Sequence, residues 1–224
     1  MDPNNTPSQP APENPTPTIP TPVVSSGEAP EPQKNEGWHN VASTIIVLAV
    51  ALLVAVGLSS FVFQSYEVSG PSMETTLNNN DRLIVWKLPR TWSKITGHAY
   101  IPHRGDIIIF DQTGLPDGEK QLIKRVVGLP GDRIVVQDGM LTVYNQAHPD
   151  GYQPDKTMPY GSVITDTEPE TGQHEWVIGK DQVFVCGDNR PDSLDSRTFG
   201  PVSSKQIIGK LELRVAPFSD IKRF

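Results

Sequence analysis

The stretch QLIKRVVGLPGDRIVVQDGMLTVYN, Gln121 to Asn145, decides the fold class of this chain. It holds three short apolar runs, Gln121 to Gly128, Asp132 to Gln137 and Met140 to Asn145, each bounded by turn residues. Runs of this kind, rich in Val and Ile, read as strands. Pro130-Gly131 marks one turn. Asp138-Gly139 stands alone between the second and third runs, the pattern of a two-residue hairpin. Working outward, the same signature recurs in DRLIVWK (Asp81 to Lys87), DIIIF (Asp106 to Phe110), EWVIG (Glu175 to Gly179), QVFVCG (Gln182 to Gly187) and KLELRVA (Lys210 to Ala216). No long amphipathic helical pattern lies among them. Short helical turns are expected after Ser72 and near Ser203 to Ile208. The expected class is mostly β, a closed or folded-over antiparallel sheet. Gln146 to His174 is polar and reads as a long surface excursion.

Upstream of the β-rich part the composition changes twice. Residues 1–37 hold 10 of the 22 prolines and almost no large apolar side chain. Such a segment cannot offset its ordering entropy, and a disordered tail with polyproline II character is predicted. Nothing in it names a partner. Val41 to Phe63 is a run of 23 residues without a charge. As a helix it would extend ~35 Å, against a hydrocarbon core of ~30 Å. It begins too far from the N-terminus, lacks a basic preceding region and is too long for a cleaved signal sequence. It therefore reads as an uncleaved anchor, with Trp38 and Tyr66 as flanking interfacial aromatics. The expected organisation is a Pro-rich tail over 1–37, a single transmembrane anchor over 38–63 and a soluble unit over 64–224. Lys34 and His39 before the run give only a weak lean towards an N-terminus on the cytoplasmic side.

Charge and cysteine content exclude several function classes. The formal net charge is -7, which argues against phosphate-driven nucleic-acid binding. The single cysteine, Cys186, excludes an intrachain disulfide framework and a cysteine-rich metal site.

Three stretches concentrate the groups that could do chemistry. SGPSMETTL (Ser69 to Leu77) places Ser72 after a Gly-Pro bend and beside apolar Met73 and Leu77. A serine hydroxyl needs a base to become a nucleophile, and no histidine lies in any of the three stretches. LIKRVVGLPGD (Leu122 to Asp132) places Lys124 in mid-strand. Strand side chains alternate faces, so if Arg125 points to solvent, Lys124 points to the core. Desolvation there lowers a lysine pKa from ~10.4 towards the ~7–8 that suits a general base. The third stretch, GDNRPDSLDSRTFGPV (Gly187 to Val202), carries Ser193, short enough to hydrogen-bond an amine, and Asp195 with Arg197, able to form an ion pair. Taken singly, Ser72 reads as a turn or cap residue, Lys124 as an edge-strand lysine and the third stretch as a solvated turn. The spacing of the third stretch does not match a calcium-binding EF-hand loop.

Taken together, in this order, the three stretches resemble the signature boxes of bacterial type I signal peptidases, membrane-anchored Ser/Lys proteases of peptidase family S26. KRVVGLPGD with GDNRxxSxDSRxxG is the specific part, and the resemblance runs from Tyr66 to about Val215. It implies that Ser72 is the nucleophile, Lys124 the general base, Ser193 the group that orients the Lys124 amine, and Asp195 with Arg197 a structural pair. It also implies a catalytic unit outside the cytoplasmic membrane and a cytoplasmic tail. Signal peptides of secreted preproteins and membrane lipids would be the partners, with no cofactor, no metal and no nucleic acid. The substrate would pair as a strand with Glu67 to Gly70 and with Gln121 to Ile123. Met73, Leu77 and Ile123 would line one shallow pocket, Val68 and Leu83 another, with Leu122 beside them. Two positions depart from the common pattern. Gly70 stands where many members have a serine that donates to the oxyanion, which leaves more of that work to the Ser72 N–H. Thr75 stands where a proline is usual.

Two rival readings predict different behaviour. A sortase-like transpeptidase would use Cys186 as nucleophile, but the residue ends an apolar run, VFVC, with no TLxTC-like stretch around it. A non-enzymatic anchored β domain would react with no serine-directed probe. The RGD at Arg104 to Asp106 begins a strand and reads as an ordinary turn.

Overall fold

The computed structural model describes residues 36–113, 121–165 and 172–224, with side chains from Asn40 onward. The proline-rich tail expected over 1–37 therefore lies almost wholly outside the described residues. The chain divides into two compact units, Met1–Ile46 and Val47–Phe224. The described part of the first is the beginning of helix α1 (Glu36–Gly57), which continues as a wider helical turn over Leu58–Val62. Asn40–Val62 is long and apolar enough to cross a membrane, and none of it is buried by protein. An all-round apolar helix with no protein cover matches a bilayer. Three of its hydroxyls donate to carbonyls of the helix itself. Ser43 and Thr44 donate to the Asn40 carbonyl at 3.0 and 2.8 Å, and Ser59 donates to that of Ala55 at 2.9 Å.

The remainder is antiparallel β. The strands are β1 (Phe63–Glu67), β2 (Arg82–Trp86), β3 (Ile107–Asp111), β4 (Gln121–Gly128), β5 (Arg133–Gln137) and β6 (Met140–Tyr144), then β7 (Gln173–Val177), β8 (Gln182–Cys186), β9 (Val202–Ser203), β10 (Ile207–Ala216) and β11 (Lys222–Arg223). One sheet runs β1-β2-β10-β3-β4-β8-β9 with β11 beside β10, and a smaller one runs β6-β5-β7. The larger sheet is open: among the described residues β1 and β9 are the end strands of its path. The Asp138-Gly139 turn forms as expected. Gln137 pairs with Met140, and both turn residues have positive φ, 51° and 74°.

Strand β4 is covered on both faces. Leu122 and Val126 join Ile108, Phe110, Val183 and Val185 in one core cluster, whereas Val127 joins Ile134, Val136 and Phe184 in another. This double cover is what makes a polar side chain on β4 a buried one. A third cluster, Val68, Met73, Leu77, Leu83, Ile107 and Leu211, fastens the loop after β1 to β2, β3 and β10.

Several local expectations need correction. Phe63, read as the end of the anchor, is the first residue of β1. Tyr66, named as a flanking aromatic, is partly buried and packs against the third cluster. The segment after Ser72 is a series of turns rather than helix, whereas the Ser204–Gln206 helical turn forms. An amphipathic helix, α2 (Leu88–Thr96), exists where none was expected. The excursion over Gln146 to His174 carries a short helix, α3 (Pro154–Thr157), and its described part folds back on the third stretch rather than standing away from it. Asp155 binds the Arg190 guanidinium through both oxygens, and the Thr165 N–H donates to the Asp188 carbonyl at 3.0 Å.

Candidate active site

The loop Ser69 to Leu77 leaves β1 at the point where its backbone can no longer pair. Gly70 has φ of 94°, a conformation a side chain disfavours, and its N–H donates to Asn79 Oδ1 at 3.1 Å. Asn79 thus closes the base of the loop. The Asn80 N–H donates to the Val68 carbonyl, and the Val68 N–H to that of Asp81, both at 2.9 Å. Below the loop Met73 and Leu77 are fully buried and act as its floor.

Ser72 is held from the other side by the third stretch. The Asn189 N–H donates to the Ser72 carbonyl at 3.1 Å, and Asn189 Nδ2 to the Pro71 carbonyl at 3.2 Å. Thr76 Oγ1 donates to Asp188 Oδ2 at 2.5 Å. Asp188 in turn receives Arg125 Nε at 2.8 Å and Nη2 at 2.6 Å, a bidentate pair shut off from water. One carboxylate therefore ties the serine loop to β4.

Lys124 and Arg125 leave β4 on opposite faces, yet both are buried, at 3% and 7% exposure. Arg125 does not point to solvent. Its face is covered by the Asp188 pair and by the Tyr160 ring, 4.8 Å below the guanidinium. Burial pushes the Tyr160 hydroxyl well above its ordinary pKa, followed by the Asp155 charge. Lys124 Nζ donates to Ser72 Oγ at 2.7 Å and to the Ile123 carbonyl at 3.0 Å. The structure thus brings together two side chains 52 residues apart in sequence.

Ser193, Asp195 and Arg197 form one hydrogen-bonded group. Ser193 Oγ donates to Asp195 Oδ2 at 2.7 Å and accepts the Gly187 N–H at 3.1 Å. Arg197 Nε and Nη2 each reach Asp195 at 2.9 Å, and Arg197 Nη2 also donates to the Arg190 carbonyl at 2.7 Å. Asp195 also caps helix α4 (Ser196–Phe199) by accepting the Arg197 N–H. Gly187 lies between this group and the serine. A Cβ built there would lie 2.3 Å from Ser193 Oγ and 2.4 Å from the Ser72 carbonyl oxygen. Only glycine permits that approach.

Ser72 and Lys124 line a cleft of about 100 Å³. Its rims are Tyr66 to Ser69 on one side and Gln121 to Ile123 on the other, with Leu83 and Ile109 at its back. Of the apolar residues expected to contact substrate, Val68, Leu83, Leu122 and Ile123 line the cleft, and Met73 and Leu77 lie in the core cluster that packs against it. Tyr66 and Ile109 complete the lining. Neither was anticipated, and only the alternation of β3 and the end of β1 could have suggested them. Cys186 is fully buried, and its burial, followed by the Asp195 carboxylate, pushes the thiol well above its ordinary pKa. A protonated, enclosed thiol is no nucleophile, which removes the sortase-like reading. Among the described residues no His, Cys, Asp and Glu cluster could hold a metal ion.

The sequence matches known proteins over most of this length. Residues 41–216 match the family described as signal peptidase, peptidase S26. Signal peptidase I of Bacillus caldolyticus is 39% identical over 176 residues, an alignment covering 75% of this chain and 88% of the relative. Signal peptidase IB of Staphylococcus aureus (strain COL) is 31% identical over 185 residues, covering 80% of this chain and 91% of the relative. A crystal structure of a signal peptidase I from Enterococcus faecalis V583 is 28% identical, spans 50% of this chain and 97% of its own, and superposes with a TM-score of 0.37. The chain belongs to the signal peptidase family, peptidase S26.

Proposed function

We propose that this chain is a membrane-anchored serine endopeptidase that removes N-terminal signal peptides from exported preproteins by a Ser72/Lys124 dyad acting through an acyl-enzyme. The observation that carries this reading is the 2.7 Å contact between Lys124 Nζ and Ser72 Oγ inside a cleft bordered by two extended segments. An enclosed amine favours its uncharged form, whose lone pair can accept the serine proton.

Substrate enters as an extended segment between Glu67 to Gly70 and Gln121 to Ile123, adding a strand between them. The narrow cleft, backed by Leu83 and Ile109, selects small side chains next to the scissile bond. Lys124 takes the Ser72 proton as Oγ attacks the carbonyl carbon. The Ser72 N–H stabilises the oxyanion, since the Gly70 position offers no hydroxyl. The C–N bond then breaks, and the Lys124 ammonium returns its proton to the departing amine. This frees the mature protein's N-terminus. A water, deprotonated by the same lysine, attacks the ester carbon. Ser72 regains its proton and the signal peptide leaves with a new carboxylate. Ser193, Asp195 and Arg197 hold the third stretch against the serine loop and support the geometry of the dyad. The tail lies in the cytoplasm, Asn40–Val62 in the membrane and the β unit outside.

The test is mass spectrometry of the products from a model preprotein in detergent. Wild type is expected to yield a single new N-terminus after small residues. Ser72→Ala and Lys124→Ala are each expected to yield none. Cleavage at the same bond by either variant would remove the dyad.

A further inference from the structure

Helix α2 is turned inside out. Leu88, Trp92 and Ile95 fall at i, i+4 and i+7, one stripe of a 3.6-residue helix, and are exposed by 40%, 64% and 74%. Arg90, Ser93 and Lys94, with Gly97 just past the end of the helix, border a cavity of about 780 Å³ whose walls also carry His98, Lys180, Asp181 and Lys205. A surface helix of a water-soluble protein does the reverse, burying its apolar stripe and wetting its charges.

Position and charge identify what covers the stripe. The Lys87 N–H donates to the Val62 carbonyl at 2.7 Å, Lys87 Nζ to that of Ser60 at 2.9 Å and Thr91 Oγ1 to that of Phe61 at 3.0 Å. All three acceptors belong to the last turn of the apolar span, so α2 is fastened where the chain leaves the hydrocarbon. Beside it Phe61 and Phe63 are also exposed. From Lys87 to Gly97 there are three basic residues and no acidic one, in a chain of net charge -7. An aromatic and aliphatic stripe with basic residues around it is the composition of a helix lying in a lipid interface.

We propose that α2 lies in the surface of an anionic phospholipid bilayer, with Leu88, Trp92 and Ile95 in the acyl boundary and the basic flank of the helix towards the headgroups. This rests on the reading of Asn40–Val62 as a membrane span. A helix of nine residues binds lipid weakly alone, but the span holds it at the bilayer and raises its effective concentration. The contact gives the catalytic unit a second fixed point, so it cannot swing about the end of α1.

The experiment uses the full chain carrying Ser72→Ala, reconstituted in phosphatidylglycerol/phosphatidylcholine vesicles whose acyl chains are brominated near the headgroup. Catalysis is not needed, so the proposed reaction and this contact can fail separately. Trp92 emission is obtained by difference against a Trp92→Phe variant. Quenching by bromolipid, insensitive to aqueous iodide and weakened when phosphatidylglycerol is omitted, is expected. Quenching by iodide and not by bromolipid would overturn the proposal. So would a photo-crosslinker in place of Trp92 that captures a second copy or another protein rather than lipid. In the active enzyme, Trp92→Glu with Ile95→Glu is expected to keep the wild-type rate on a soluble peptide in detergent. The same variant is expected to lose roughly tenfold on a vesicle-bound preprotein. An equal loss in both settings would make α2 a mere fold support and overturn the proposal.

Discussion

Gly187 shows how little slack surrounds the serine. Its missing Cβ would collide with a backbone oxygen, that of Ser72, and a backbone atom cannot step aside without carrying the nucleophile with it. Gly187→Ala is expected to lower kcat/KM by about 10²-fold or more, the scale on which a displacement of roughly 1 Å acts. Steady-state kinetics on a peptide substrate, with the circular dichroism spectrum as a control for folding, measures it. An unaltered kcat/KM would mean that this approach is not tight in solution. The sequence announced Ser72, Lys124, Ser193, Asp195 and Arg197, because the resemblance runs through the motifs that contain them. It was silent on Asn79, Asn189 and Thr76. Each acts through a backbone carbonyl, a backbone N–H or a distant carboxylate, and such partners leave no local pattern to read.

At the scale of elements, the strands with clear turn punctuation were legible, and the Asp138-Gly139 hairpin formed with the predicted register. Three features were not. β1 hides at the end of the apolar run, where a strand and a span look alike. α2 is short, carries Pro89 in its first turn and presents its apolar stripe outward, so it lacks the usual buried-face signature. The inward turn of Arg125 depends on Tyr160, which arrives from a polar segment that looked like a free excursion. Because Asp188 joins β4 to the serine loop, its charge is the crossing point of these elements. Asp188→Asn leaves the Arg125 guanidinium buried without its counter-charge. It is expected to destabilise the fold by about 3–5 kcal/mol, as breaking one side of a buried ion pair does. Urea denaturation of the Ser72→Ala background, which avoids self-digestion, is the measurement. A midpoint within error of the parent would mean that the pair contributes nothing net.

For the molecule as a whole, burial of weak acids sets how stability responds to alkali. The Cys186 thiol is raised far above its ordinary value by burial, then by Asp195. The Tyr100 hydroxyl is pushed up to about 12 by burial, then by Asp106 and Glu212. Tyr160 moves the same way. The unfolded chain sheds these protons from pH ~8.5 for the thiol and from ~10 for the phenols, while the folded chain keeps them. Above those values the unfolded state binds fewer protons, so the free energy of unfolding must fall as pH rises. Urea midpoints at pH ~7 and pH ~10.5 are expected to differ, the alkaline one being lower; equal midpoints would contradict the burial of these groups.

The wider turn Leu58–Val62 runs straight into β1, which on the proposed reading restricts which preproteins can be cut. β1 is five residues long and its far end forms the rim of the cleft. At ~3.3 Å per residue it can separate that rim from the last turn of the apolar helix by at most roughly 17 Å. On the proposed reading, with Asn40–Val62 in the membrane, the chain would carry a gauge of fixed length. A client whose own apolar helix occupies the same layer must offer about five extended residues between that helix and its scissile bond. Shorter spacers cannot reach the serine, and longer ones present the wrong bond. Selection by spacing would then reside in the backbone, before any side chain of the client is tested.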